Sequence, residues 1–246
     1  MASFLRYAAL AGFLGMAAPL AVAKGMTVAQ SYAMPEVRAG RLEYTRNCGW
    51  VDWGHAIPDG PKELLDMIML EAGRPSSDRK HYELEYRQEM KKNAAKSVRL
   101  VALVNGKFKI RYGLSKQEKV RVAYAIFYDI SRRFEEFQGD EPCRLVAGHS
   151  SFSEEDLTSN LIGFDRAAYG FSRRTIEKSC VPVGKELSAR MVERGEYGKR
   201  NTSTEPIQWR KGRAERGKLP KKLQPPKKPL GSSFNAVSYN TDFYYE

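Results

Sequence analysis

The strongest constraint on the fold is a pair of β-forming runs, residues 98–104 and 107–113, on either side of Asn105-Gly106. Both runs are rich in residues that favour strands, and Asn-Gly tolerates the positive φ angles of a type I′ turn. The pattern therefore predicts a β-hairpin around Asn105-Gly106. Residues 81–90 alternate apolar and charged side chains, which predicts a further half-buried strand.

Three amphipathic segments predict helices that pack on these strands. The first runs from Pro61 to Gly73, with proline in the favoured first position. The second covers residues 115–139 and opens with a Ser-x-x-Glu capping box. The third begins near Ser153, which is followed by acidic residues that the helix dipole favours. The predicted fold class is α+β: a small antiparallel sheet packed with three main helices.

The first 23 residues have the pattern of a secretory signal peptide. Arg6 precedes an apolar run over residues 8–20, and Ala21-Val22-Ala23 is a small-x-small cleavage site. An N-terminal membrane anchor is the alternative, but the run is shorter than the roughly 20 apolar residues that a span needs. No later segment is apolar enough to cross a membrane. The sequence therefore predicts an exported protein, periplasmic or secreted, with no transmembrane segment after cleavage.

The basic character of the chain is concentrated near its end. Residues 24–198 suit one α+β domain, whereas residues 199–230 are rich in lysine, arginine and proline and predict a disordered basic linker or tail. For an exported protein, Lys/Arg 199–228 would meet an anionic envelope polymer or lipid headgroups rather than nucleic acid. A solvated linker without a partner is the alternative. The aromatic residues of 231–246 predict a last strand that docks on the body.

Three cysteines remain after signal cleavage, and one must stay unpaired if the others form a disulfide. Cys143 and Cys180 flank the second candidate motif and would close a loop of ordinary length. That pairing leaves Cys48 free, although the sequence does not exclude the other two pairings.

Residues 47–60 concentrate the rarest side chains of the chain. Asp52 and His55 are three apart in a predicted turn, where a carboxylate can accept the imidazole N–H and raise its basicity. We interpret His55 as a base oriented by Asp52, with Cys48 as a nearby candidate nucleophile. The alternative is a packing nucleus in which Trp50 and Trp53 are core residues.

A second polar cluster occupies residues 147–170. An acidic helix start accounts for Ser153 and Glu154. It does not account for Asn160 beside apolar residues in mid-helix, because a buried asparagine must find partners. Gly163 on the same helix would allow close backbone approach. We add Ser153, Glu155 and Asn160 to the candidate catalytic residues.

The two clusters together resemble an uncharacterised family of exported bacterial proteins. The shared motifs are Gly-aromatic-aliphatic-Asp-x-x-His and Ser-x-Glu-Asp-x-x-Ser-Asn on a helix. The matching residues are Gly49, Trp50, Val51, Asp52, His55, Ser153, Glu155, Asp156, Ser159, Asn160 and Gly163. The resemblance covers residues 43–170 and implies that both clusters form one site. The order of elements is also similar to circularly permuted papain-like hydrolases, although serines stand where those enzymes place a cysteine.

These features favour a cell-envelope hydrolase that uses His55. The nucleophile would be Cys48, a serine near Ser153, or a water held by Glu155. A zinc site built from Asp52, His55, His149 and Glu155 is a weaker version, because its spacing fits no known motif. No phosphate loop, dinucleotide fingerprint or paired-cysteine motif occurs, so no cofactor is predicted. The alternative is a non-catalytic envelope-binding or assembly protein that uses its basic tail.

Overall fold

A computed structural model describes residues 27–95, 98–141, 143 and 151–245, and its elements confirm the predicted α+β class. The helices are α1 (Val28–Ala39), α2 (Asp59–Met69), α3 (Lys116–Gly139), α4 (Asp156–Tyr169), α5 (Arg173–Cys180) and α6 (Lys185–Glu193). The strands are β1 (Leu42–Thr45), β2 (Gly49–Asp52), β3 (Arg74–Pro75), β4 (His81–Ala95), β5 (Val98–Arg111), β6 (Ile207–Arg210), β7 (Arg213–Arg216) and β8 (Phe234–Tyr245). The predicted signal peptide, residues 1–23, lies outside the described residues. Among those described, no helix has the length and hydropathy of a membrane span.

The main sheet has the order β3-β4-β5-β8, and its strands pair antiparallel. Alternate residues of β4 point inward, so Tyr82 and Tyr86 are buried while their charged neighbours face solvent. Helices α2 and α3 cover the inward face, where Ile126 and Ile130 of α3 join Phe108 of β5 in the largest apolar cluster. The predicted strand over residues 81–90 and the docked C-terminal strand are both confirmed.

The predicted hairpin turn at Asn105-Gly106 is wrong, because both residues lie inside the uninterrupted strand β5. They pair with Arg87 and Tyr86 of β4, so the strand has partners on both sides through β4 and β8. A Cβ atom on Gly106 would stand 2.7 Å from the Phe108 ring and 2.8 Å from Ile130. Glycine is therefore needed here to make room for core side chains rather than to form a turn.

The three predicted helices are confirmed as α2, α3 and α4, with two shifted starts: α2 begins at Asp59, so that Pro61 is its third residue rather than its first. Helix α4 begins at Asp156 rather than at Ser153, and the backbone N–H of Ser153 donates instead to the Asp156 carboxylate at 2.6 Å. Helices α1, α5 and α6 were not predicted. Helix α1 opens with a capping box between Thr27 and Gln30, a recognisable start signal, although Pro35 lies within the helix.

The prediction that residues 199–230 are disordered is wrong. Strands β6 and β7 form a hairpin in this segment, and a 3-10 turn follows at Lys221–Leu223. The side chains of Leu219 and Leu223 are buried in an apolar cluster with residues of β2 and α4. These few apolar residues anchor the segment, while the basic side chains between them remain on the surface.

Of the three pairings that the sequence left open, the structure has Cys48 with Cys180 rather than Cys143 with Cys180, and Cys143 is a buried free thiol. The reason is backbone pairing between distant segments. The N–H of Asn47, in the β1–β2 turn, donates to the carbonyl of Cys180 at 2.9 Å. This contact holds the two Cα atoms 5.1 Å apart, within the normal range for a disulfide. Cys48 is therefore not a candidate nucleophile.

Candidate functional site

Several segments of the chain form three walls around a polar cavity of about 230 Å³. Helix α1 forms one wall, β2 with the turn after it forms the second, and the start of α4 with the segment before β6 forms the third. The lining side chains are Ala29, Tyr32, Ala33 and Glu36; Arg41, Leu42, Asp52 and His55; and Ser153, Glu155, Asp156 and Tyr197. The two polar clusters of the sequence therefore meet at one place, where both line the same cavity.

The carboxylate that orients His55 is Asp156, not Asp52 as predicted. The imidazole Nδ1 lies 3.2 Å from Asp156 Oδ1. The Asp156 side chain is almost completely buried, whereas 39% of the His55 side-chain surface is exposed. The Asp156 carboxylate is thus the buried member of the pair, and the His55 imidazole faces the cavity. Such an arrangement fixes the tautomer and orientation of a histidine that transfers protons.

Asp52 is occupied by other partners. Its two oxygens accept from Arg41 Nε at 3.2 Å and Arg41 Nη2 at 3.4 Å, and Oδ1 also accepts the Gly54 N–H at 2.6 Å. The Asp52 backbone N–H donates to Ser159 Oγ of α4 at 2.9 Å. Asp52 therefore shapes the turn that carries His55 and ties it to α4, which is a structural contribution to the same site.

The environment of His55 raises its pKa from about 6.5 to about 10. Burial alone would lower the pKa, but the hydrogen bond and charge of Asp156 outweigh it, and Asp52 and Glu135 add to the attraction. Solvent reaches part of the side chain and screens part of this attraction, but the direction is unchanged. His55 therefore carries a proton at neutral pH and is a proton donor there rather than a base.

Glu155 is the most unusual carboxyl group on the cavity wall. Its Oε1 accepts from the Tyr197 hydroxyl at 3.0 Å, while its buried Oε2 has no hydrogen-bond partner among the described residues. Burial raises the pKa of Glu155 well above its usual range, and the nearby charge of Asp156 adds to the effect. No structural hydrogen bond therefore occupies Glu155 Oε2, and this oxygen is available to bind or release a proton.

The remaining predicted residues divide between cavity and core. Ser153 lies on the cavity wall, while Asn160 is on α4 and is not among the lining residues. Trp50 and Trp53 are buried in the core, and the indole Nε1 of Trp50 donates to the Glu196 carbonyl at 2.8 Å. The cluster of rare residues at 47–60 is thus partly a packing nucleus and partly a cavity wall.

Gly163 allows α4 to approach the turn that carries His55, as predicted. A Cβ atom there would lie 2.7 Å from the Ile57 carbonyl oxygen and 3.1 Å from that of His55.

Alanine normally stabilises a helix by about 1 kcal/mol relative to glycine, but overpacking against backbone costs about 1–3 kcal/mol. We expect Gly163→Ala to lower the free energy of urea unfolding. Gly60→Ala in α2 is the control, since its Cβ would only touch Tyr86 at 3.5 Å, and equal stabilisation by both changes would contradict this view.

Asp165 on α4 is fully buried, and neither carboxylate oxygen has a partner among the described residues. Burial raises its pKa from 3.8 to about 8. The pKa of Asp165 is higher in the folded protein than in the unfolded chain. Its contribution to the free energy of unfolding is therefore complete below about pH 4 and is lost as pH rises through 8.

We therefore expect Asp165→Asn to stabilise the protein at pH 8 by about 1–3 kcal/mol and to have little effect near pH 4. Thermal unfolding of both proteins across this range measures the difference. Asp66→Asn, at an exposed residue paired with Lys62, is the control and should change stability little at any pH. A stabilisation that does not grow with pH would contradict the assignment of Asp165.

Sequence reasoning missed three contributors to the cavity: α1, Arg41 and Tyr197. The capping box of α1 was a usable signal. No local sequence pattern marks Arg41 or Tyr197. Arg41 contributes by binding Asp52 of another element, and Tyr197 contributes by binding Glu155, which is distant in sequence.

No group of three or more histidine, cysteine, aspartate or glutamate side chains within the described ranges is arranged to hold a metal ion. His149, one ligand of the zinc alternative, lies outside those ranges. Comparison of the chain with protein-family models, with curated proteins and with solved structures finds no match.

Proposed function

We propose that this protein is an exported hydrolase that acts on a component of the cell envelope. Export is supported by the signal-peptide pattern of residues 1–23 and by the Cys48–Cys180 disulfide, since disulfides persist mainly in oxidising compartments. Hydrolysis is supported by one observation above all: the His55–Asp156 pair faces the same cavity as Glu155, whose Oε2 has no partner in the described chain.

The proposed roles follow from the protonation of each group. The Glu155 carboxylate accepts a proton from water as the water oxygen attacks the electrophilic carbon of the substrate. Protonated His55, held by Asp156, donates its proton to the leaving group as the bond to that group breaks. Proton exchange with solvent then restores both residues, and no covalent intermediate is required.

This division of roles predicts a bell-shaped pH dependence of turnover. Activity should rise as Glu155 loses its proton, over a range above the ordinary carboxyl pKa, because the pKa of this group is raised. Activity should fall again as His55 loses its proton at alkaline pH. The opposite dependence, with maximal activity in acid, would contradict the assignment of Glu155 as the base.

The direct test measures release of soluble dye from dye-labelled peptidoglycan sacculi and release of nitrophenol from nitrophenyl esters. His55→Gln should reduce turnover about 100-fold or more, the usual contribution of a positioned acid or base. His81→Gln is a matched control, because His81 also pairs with an aspartate, Asp78 at 2.9 Å, but at the start of β4. If neither substrate is hydrolysed, or if both variants match the parent, the proposal fails.

A non-catalytic envelope-binding role is favoured by a separate observation. All eleven basic side chains of residues 199–228 are exposed, and no ion pair joins any of them to a carboxylate in the described part of the chain. Surface cations that form no ion pair with a carboxylate of the described chain are available to an anionic envelope component. Deleting this segment would remove buried residues such as Leu219 and Leu223, so substitutions of single charges are the appropriate test.

A further inference from the structure

A second concave surface lies between the β6–β7 hairpin and the segment at residues 195–200. This groove encloses about 630 Å³. Its lining includes four cationic side chains and one aromatic ring, which are Lys199, Arg200, Arg213, Arg216 and Trp209. Glu215 is the one acidic residue among the lining side chains, so the groove is strongly cationic.

The aromatic floor of the groove is held in place by the body of the protein. The indole Nε1 of Trp209 donates to Glu154 Oε1 at 2.5 Å, and the Trp209 backbone N–H donates to the Tyr44 hydroxyl at 2.8 Å. The backbone N–H of Lys199 donates to the other Glu154 oxygen at 3.0 Å. Both sides of the groove are thus fixed to one buried carboxyl group, which gives a preformed site.

The combination of a fixed indole ring and surrounding cations has a recognisable chemistry. An aromatic face packs against the apolar C–H face of a sugar ring, and cations pair with carboxylate, phosphate or sulfate groups on the same chain. A bilayer surface fits less well, because a membrane does not enter a groove. The hairpin tip, Arg210-Lys211-Gly212-Arg213, also has no apolar side chain to insert between lipids.

We infer that the groove between residues 195–200 and the β6–β7 hairpin is a binding site for an anionic polysaccharide chain. This inference rests on the envelope-binding role proposed above and gives it a ligand class and a location. The groove and the polar cavity are built on adjacent residues: Glu154 holds the groove, and Glu155 lines the cavity beside Tyr197. A polymer bound in the groove would lie along the segment that also forms one wall of the cavity.

The test measures binding of dextran sulfate to the protein. Uncharged dextran of the same length is the control ligand. Tryptophan fluorescence reports binding, since Trp50 and Trp53 are buried and Trp209 lies in the groove. We expect dextran sulfate to change the fluorescence, dextran to have no measurable effect, and Trp209→Phe to remove the signal. Affinity should weaken as salt is raised, because the contacts are ionic.

Two double variants locate the site. Lys199→Gln with Arg213→Gln removes two groove charges and should weaken binding about 30-fold. Lys221→Gln with Lys222→Gln removes two exposed charges on the 3-10 turn outside the groove and should weaken it much less.

Three results would overturn the inference. If the Lys221/Lys222 variant loses as much affinity as the groove variant, the groove is not the site, while the envelope-binding role survives. If vesicles containing phosphatidylglycerol bind and dextran sulfate does not, the ligand is a lipid surface. If neither binds, the envelope-binding role fails as well.

Discussion

Replacing Cys48 with alanine should lower the free energy of unfolding by about 2–5 kcal/mol, the usual cost of losing a native disulfide. The Cys48–Cys180 bridge joins residues 132 positions apart, so it strongly restricts the unfolded chain. Both cysteines are also completely buried, in the apolar cluster that connects β2, α4 and the segment around Leu223. Urea denaturation of the oxidised parent and the variant measures this difference.

Cys143→Ala is the matched control for this prediction. Cys143 is equally buried but has no disulfide partner, so its replacement removes one sulfur atom and no covalent link. We expect a loss within about 1 kcal/mol. Alkylation of the denatured, unreduced protein should modify one cysteine, and mass analysis should place it at position 143. Modification at Cys48 would contradict the pairing.

Replacing Asp156 with asparagine should reduce hydrolytic turnover about 100-fold while leaving the protein folded. Asparagine keeps the shape of the side chain and an oxygen that accepts the Ser153 N–H, but it loses the charge that holds the His55 proton. The pKa of His55 should then fall towards its ordinary value of about 6.5. The leaving group would no longer meet a protonated imidazole at neutral pH.

The control for this change is Asp78→Asn, which alters the exposed partner of His81 in the same chemical way. Turnover should be unaffected by it. Equal losses in the two variants would show that the effect comes from altered surface charge rather than from the His55–Asp156 pair.

Local patterns predicted the elements that local chemistry determines. The alternation at residues 81–90, the capped helix α3 and the aromatic strand β8 were all identified correctly. The predicted turn at Asn105-Gly106 was wrong because glycine is needed there to leave room for the side chains of Phe108, on the same strand, and Ile130, on helix α3. A turn signal and a packing requirement select the same residue, and sequence alone does not separate them.

The walls of the site were predicted, but the contacts between them were not. The two motifs correctly brought Asp52, His55 and Glu155 to one cavity. The sequence spacing favoured Asp52 as the partner of His55, yet Arg41 binds that carboxylate and leaves Asp156 to pair with the imidazole. Such choices depend on which charges meet in the folded chain, and nearness in sequence does not determine them.

The His55–Asp156 pair is tested most directly by an NMR titration of the histidine side chains in the parent protein and in Asp156→Asn. The chain has three histidines, and His55→Gln identifies the signal of interest. We predict that His55 stays protonated through neutral pH and that Asp156→Asn lowers its pKa. A His55 that titrates near 6.5 in both proteins would contradict the His55–Asp156 pair, and with it the proposed proton donor.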